Sequence, residues 1–191
     1  MKLPAPAILC LLLAGVQDPQ YVSVTTTDGQ TVVGTTTATS ITLETGSGKV
    51  EIPIRKVASI KFEGDKVTVR GMDQTSLTGK MSLDRFEVKA SVVGDIVFQR
   101  KNLASIGILF IGEVPPTTDP KGQVFQVQVQ TTDSTLRGEA DLRMMTLDST
   151  LGRLPINPTL VVTVQRAKDK WTVVFRNGTL VTGALDLPDL K

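Results

Sequence analysis

The 191-residue chain contains no histidine. That removes the side chain most often used as a general base and the commonest imidazole metal ligand. Serine–histidine and cysteine–histidine nucleophilic systems are therefore impossible. The single cysteine, Cys10, lies in an N-terminal apolar run, and zinc needs Cys or His ligands in nearly every case. Gly46-Ser47-Gly48-Lys49 has the look of a phosphate loop. That loop requires glycine at position 43 and Ser or Thr at position 50, where Leu43 and Val50 stand, so a hairpin turn is the better reading. Glu139 and Asp141 alternate along one predicted strand and share a face; Asp186 and Asp189 lie in the C-terminal tail. Neither cluster offers the several oxygens in a short span that calcium wants. Solvated charge is the simpler reading than a two-carboxylate glycosidase; a carboxylate-only hydrolase is kept as the minor alternative.

Two basic pairs recur, Arg55-Lys56 and Arg100-Lys101. They are candidate anion or lipid-headgroup contacts. Charged turns that keep a sheet edge from pairing are the plainer interpretation. Trp171, the one tryptophan, is either a binding anchor or a cover over the core at the start of the last hairpin; its position favours the cover.

Such residues need elements to hold them. Hydrophobic residues make up 40% of the chain and charged residues 21%, which suits a packed domain rather than disorder. A formal net charge of +2 is too small to argue for nucleic acid or an anionic membrane surface. Valine and threonine are abundant, and aromatics only 4%; β-branched side chains favour strands. Met1-Lys2, the apolar stretch Ala5–Ala14 and the small pair Ala14-Gly15 read as a signal peptide over residues 1–17. The expected location is therefore exported, periplasmic or extracellular. With Cys10 removed, no disulfide can form and packing alone must stabilise the chain. No membrane span is expected after signal removal, and no cofactor.

A repeat organises the rest. Gly34 and Gly79 are 45 residues apart, as are Gly138 and Gly183. Each closes a stretch built on alternation and a tight turn: Val22-Ser23-Val24 before Asp28-Gly29, Val67-Thr68-Val69 before Asp73-Gln74, and Val173-Val174-Phe175 before Asn177-Gly178. Val127-Gln128-Val129 before Thr132-Asp133 is the looser copy. Period-2 alternation marks a half-buried strand, and such steps tolerate positive φ. The closing glycine is expected to mark a bulge or bend. Ile41, Phe86 and Met145, then Leu43, Val88 and Leu147, predict a core-facing third strand. A fourth strand and one helical turn lead to a fifth. Residues 112–122 hold clustered Pro and Gly and read as a linker. The organisation expected is two tandem units over 18–111, then a third unit plus a C-terminal hairpin over 123–191. A lone hairpin is marginal in water, so the last one should complete the sheet of the third copy.

Five short strands with a helical turn before the last resemble the SH3-like and Sm-like small β-barrels, and the repeat is similar to one found in secreted bacterial proteins. The resemblance implies an all-β fold of tandem small barrels from ~45-residue repeats. RNA binding does not carry over. After Gly34 the stretch Thr35–Ser40 lacks the family's acidic residue and asparagine, and Asp84 in the second copy has no asparagine after it. The function expected is a non-catalytic secreted or cell-envelope binding or scaffold protein, contacting protein or peptide through threonine-rich faces such as Thr25–Thr27 and Thr35–Thr37. The alternative is a structural component that self-associates through strand edges.

Overall fold

The computed structural model describes residues 19–109, 124–130, 135–141 and 144–186, with backbone alone for 124–130 and 135–141. The signal segment 1–17, the linker 112–122, Asp189 and the side chains of Glu139 and Asp141 lie outside the described residues. Among the described residues seventeen strands follow one another. They are β1 (Gln20–Thr26), β2 (Thr31–Thr36), β3 (Ser40–Thr45), β4 (Gly48–Pro53), β5 (Val57–Glu63), β6 (Lys66–Gly71), β7 (Ser76–Met81), β8 (Arg85–Ala90), β9 (Gly94–Gln99) and β10 (Leu103–Leu109). Then come β11 (Val124–Gln130), β12 (Thr135–Asp141), β13 (Met145–Ser149), β14 (Gly152–Ile156), β15 (Val161–Ala167), β16 (Lys170–Phe175) and β17 (Leu180–Asp186). Single 3-10 turns, Ile54–Lys56, Arg100–Asn102 and Pro158–Leu160, precede β5, β10 and β15. Every ladder among the described residues is antiparallel. Among them no helix is long and apolar enough to cross a membrane.

Alternation decides which face is buried. In β8, Phe86, Val88 and Ala90 point inward while Arg85, Glu87 and Lys89 face solvent. The predicted third-strand positions Ile41, Phe86, Met145, Leu43, Val88 and Leu147 are all buried. They share one hydrophobic cluster with Val24, Val69 and Val173.

The strands do not close within one sequence repeat. β3 pairs with β4 and with β7 of the next copy; β8 pairs with β9 and with β2 of the previous one. Three groups of identical strand order result. Residues 40–81 give β4-β3-β7-β6-β5, and residues 145–186 give β14-β13-β17-β16-β15. The third group, β9-β8-β2-β1-β10, is assembled from both ends of the 20–109 region. A string of beads, each cut from one repeat, is corrected accordingly: period-2 patterning fixes a strand's face and leaves its neighbour open. The last hairpin does join the third copy, with β16 on β15 and β17 on β13. β11 and β12 pair with each other.

Equivalent hydrogen bonds recur in all three groups. The backbone N–H groups of Met72, Thr27 and Arg176 donate to the carbonyls of Lys56, Asn102 and Leu160, each at 2.9 Å. Ladder irregularities also recur, at Val57/Ser59, at Val161/Thr163, and at Thr25/Thr26 opposite Leu103 and Ser105. The closing glycines sit at none of them. A Cβ on Gly34, Gly79 or Gly183 would lie 2.5, 2.2 or 2.2 Å from the carbonyl oxygen of Lys89, Glu44 or Asp148. Another strand's backbone crosses there, and only a residue without Cβ admits it. This replaces the expected bulge.

The 40–81 group and the β9-β8-β2-β1-β10 group meet through β5 and β10, with Ser59 opposite Gly107, Ile60 opposite Ile106 and Lys61 opposite Ser105. The 145–186 group joins the same sheet through β17 and β2, where Leu180 faces Thr31.

Candidate functional site

A cleft of about 580 Å³ opens in the described surface. It lies where the chain crosses from β2 to β3. It is lined by the crossing segment Thr36, Thr37, Ala38 and Thr39, by Pro53, Ile54 and Arg55, and by Pro19 and Gln20. The crossing segment is held by its own chemistry. The Thr36 Oγ1 accepts from the Ala38 N–H at 3.2 Å, and the Thr39 carbonyl accepts from the Ile54 N–H at 2.9 Å. Ile54 is only 2% exposed and anchors the 3-10 turn to the core. That leaves the next residue, Arg55, exposed at the rim. Hydroxyls that donate and accept, apolar methyl groups and one guanidinium suit hydrogen bonding to an extended chain. Arg55 is the one charged side chain in the lining.

The other predicted contacts do not gather around it. Arg55 and Lys56 stand on the turn before β5, Arg100 and Lys101 on the turn before β10. Because β5 and β10 run antiparallel and pair near their middles, the two turns lie at opposite ends of that joint. The pairs also differ in register. The first turn is Ile54-Arg55-Lys56 and the second Arg100-Lys101-Asn102, and the Thr39 and Asp84 carbonyls accept from Ile54 and Arg100 respectively. Arg100 thus corresponds to Ile54 rather than to Arg55. Its Nη2 donates to the Gly64 carbonyl at 2.7 Å, and its guanidinium stacks 4.5 Å from the Phe62 ring centre. Lys56 and Lys101 are exposed. Trp171 is partly buried against the core, with the Arg166 guanidinium 5.5 Å from its ring centre. Asp186 is exposed at the end of β17. Gly46 and Gly48 belong to an exposed hairpin turn.

A buried polar joint escaped the sequence. Gln30 is 1% exposed and Thr179 fully buried. The Gln30 Nε2 donates to Asp28 Oδ2 at 3.0 Å and to Thr150 Oγ1. Its Oε1 accepts from the Thr182 N–H at 3.2 Å. The Val33 N–H donates to Thr179 Oγ1 at 3.0 Å, and Thr150 Oγ1 donates to Asp28 Oδ2 at 2.7 Å. Burial alone would raise the Asp28 carboxyl above its ordinary 3.8. Hydrogen bonds from Thr26, Thr150 and Gln30 outweigh that and hold it at about 2. The one available signal was glutamine at position 30 where the equivalent turn positions carry Thr75 and Thr179.

Set beside known proteins, the chain matches no family model, no curated protein and no solved structure.

Proposed function

We propose that this chain is an exported, non-catalytic binding or scaffold protein of the cell envelope that takes an extended protein or peptide segment in the threonine-lined cleft. On this reading each five-strand group is a small SH3-like or Sm-like barrel. Its support is the shared strand order and the 3-10 turn set before β5, β10 and β15. Barrels of that kind receive peptides between loops or along an open edge. The N-terminal apolar run supports export.

The observation that carries the reading is the cleft lining itself. Thr37 and Thr39 offer exposed hydroxyls along it, and Arg55 offers a cation at the rim. A segment carrying an acidic residue meets both features. Selection from a displayed random-peptide library should yield acidic, extended binders. Arg55→Glu and Thr37→Trp, the second filling the cleft from an exposed position, should each weaken capture by about tenfold or more, some 1.4 kcal/mol, with melting unchanged. Binders indifferent to both substitutions, or none at all, would refute the cleft as a peptide site.

A further inference from the structure

Two of the three five-strand groups are mated, and the third is single. The mating element is the strand that follows each 3-10 turn. β5 and β10 are equivalent strands of equivalent groups, and they pair with each other across a local two-fold centred on Ile60 and Ile106. β15 is the same strand in the 145–186 group, preceded by the turn Pro158–Leu160. Among the described residues it pairs with β16 alone.

Burial records the difference. In β5 the core positions Val57, Ile60 and Phe62 are buried, and in β10 so are Leu103, Ile106 and Ile108. The matching residues of β15 are Val161, Val164 and Arg166. The two valines are only half-buried and the arginine is exposed. Beside them Val162 is 64% exposed. An apolar strand with one free edge is a template for another strand.

We propose that the β15 edge is a homodimer interface, filled by β15 of a second copy of this chain running antiparallel. The occupant is specified by the β5–β10 joint, which shows how two such groups meet. Transferred to β15, its register places Val164 opposite Val164 on a two-fold axis and Thr163 opposite Gln165 on either side. An interface of this kind is isologous, as closed dimers require. No like charges oppose each other in those three pairs. The nearby Arg166 guanidinium is turned onto the Trp171 ring, which keeps that cation off the edge. The resulting order β16-β15-β15-β16 reproduces β6-β5-β10-β1.

This goes beyond the peptide-binding reading and does not rest on it: the test uses purified protein with no peptide, so either can fail alone. Sedimentation velocity over a concentration series should give a reversible monomer–dimer equilibrium with twice the chain mass as its upper limit. Directly opposed residues of antiparallel strands lie about 4.5–5.5 Å apart at Cα, inside the disulfide range. The full chain carrying Cys10→Ser and Val164→Cys should therefore cross-link into a covalent dimer on mild oxidation. The same chain with Ser47→Cys, at an exposed hairpin tip, should not. Val164→Lys places two ammonium groups on the axis and should leave a monomer. A wild-type chain that stays monomeric into the high-micromolar range would overturn the proposal. So would a dimer that cross-links at 47 and not at 164, or a β15 edge that binds peptide in place of a second copy.

Discussion

Residues 40–81 and 145–186 build the same five strands in the same order, and they differ in what lies beyond the strand after the 3-10 turn. In the first group β5 runs into β10, and Val57, Ile60 and Phe62 are buried. In the second, β15 keeps Val161 and Val164 half-buried. The local sequences are alike at those valine and isoleucine positions, so burial there is set by the neighbour. The second group compensates elsewhere. It places Trp171 at the first core-facing position of β16, where the other groups use Val22 and Val67. It also ties itself to β2 through Gln30 and Thr179.

Truncation breaks this comparison most severely. Removing residues 170–191 deletes β16 and β17, and with them the partners of β15 and the second partner of β13. Limited proteolysis should then cut freely within 145–169 while 20–109 stays protected; continued protection of 145–169 would refute the grouping. Gly79→Val and Gly183→Val test the strand crossings shared by both groups. Each forces a side chain onto the Glu44 or Asp148 carbonyl and should cost about 3 kcal/mol in urea unfolding. Gly46→Ala, with open space around it, should change stability by less than about 0.5 kcal/mol.

The joint that holds the single group to the rest is the next target. Gln30→Ala leaves the Thr182 N–H without its acceptor and should cost about 1–3 kcal/mol. The loss should appear in the 145–186 region first, read by hydrogen exchange. Equal losses in 40–81 and 145–186 would deny the joint its local role. Asp28 adds a pH signature. Its folded value of about 2 lies below the ordinary 3.8, so its stabilisation is complete above 3.8 and is lost as pH falls through 2. Asp28→Asn should flatten that acid limb, and an unchanged profile would sink the assignment. The smallest effect belongs to a turn. Gly29 and Gly178 hold φ of +85° and +86°, and Gln74 holds +67° at the matching position. Gln74→Gly should therefore stabilise by up to about 1 kcal/mol in thermal unfolding.

The sequence made the strands legible because Phe86, Val88 and Ala90, or Val22 and Val24, alternate with polar residues. Tight turns at Asp28-Gly29 and Asn177-Gly178 were legible for the same local reason. Strand partners were not. Thr35 pairs with Lys89 and Leu43 with Met81, and nothing in either stretch names the other. The crossing glycines look like bend glycines until the Lys89 and Glu44 backbones are placed against them. Arg55 and Arg100 align by type, yet the backbone of Arg100 occupies the place of Ile54. Of the candidate contacts only Arg55 lines the cleft. The Gln30 partners lie 120 and 152 residues away, beyond any periodicity.

Pairing of Tyr21 with Leu109 brings the two ends of the 20–109 region together and orders its assembly in time. As the chain leaves the ribosome, residues 40–81 acquire all five strands from one unbroken segment. The hairpin 20–36 emerges earlier and finishes later, because β8 and β10 must clear the exit before it has anything to join. Such long loop closure is the slow step of β-sheet folding. Until then an apolar strand edge built on Val22 and Val24 stands open, which makes that interval the time when a holding chaperone has most to protect.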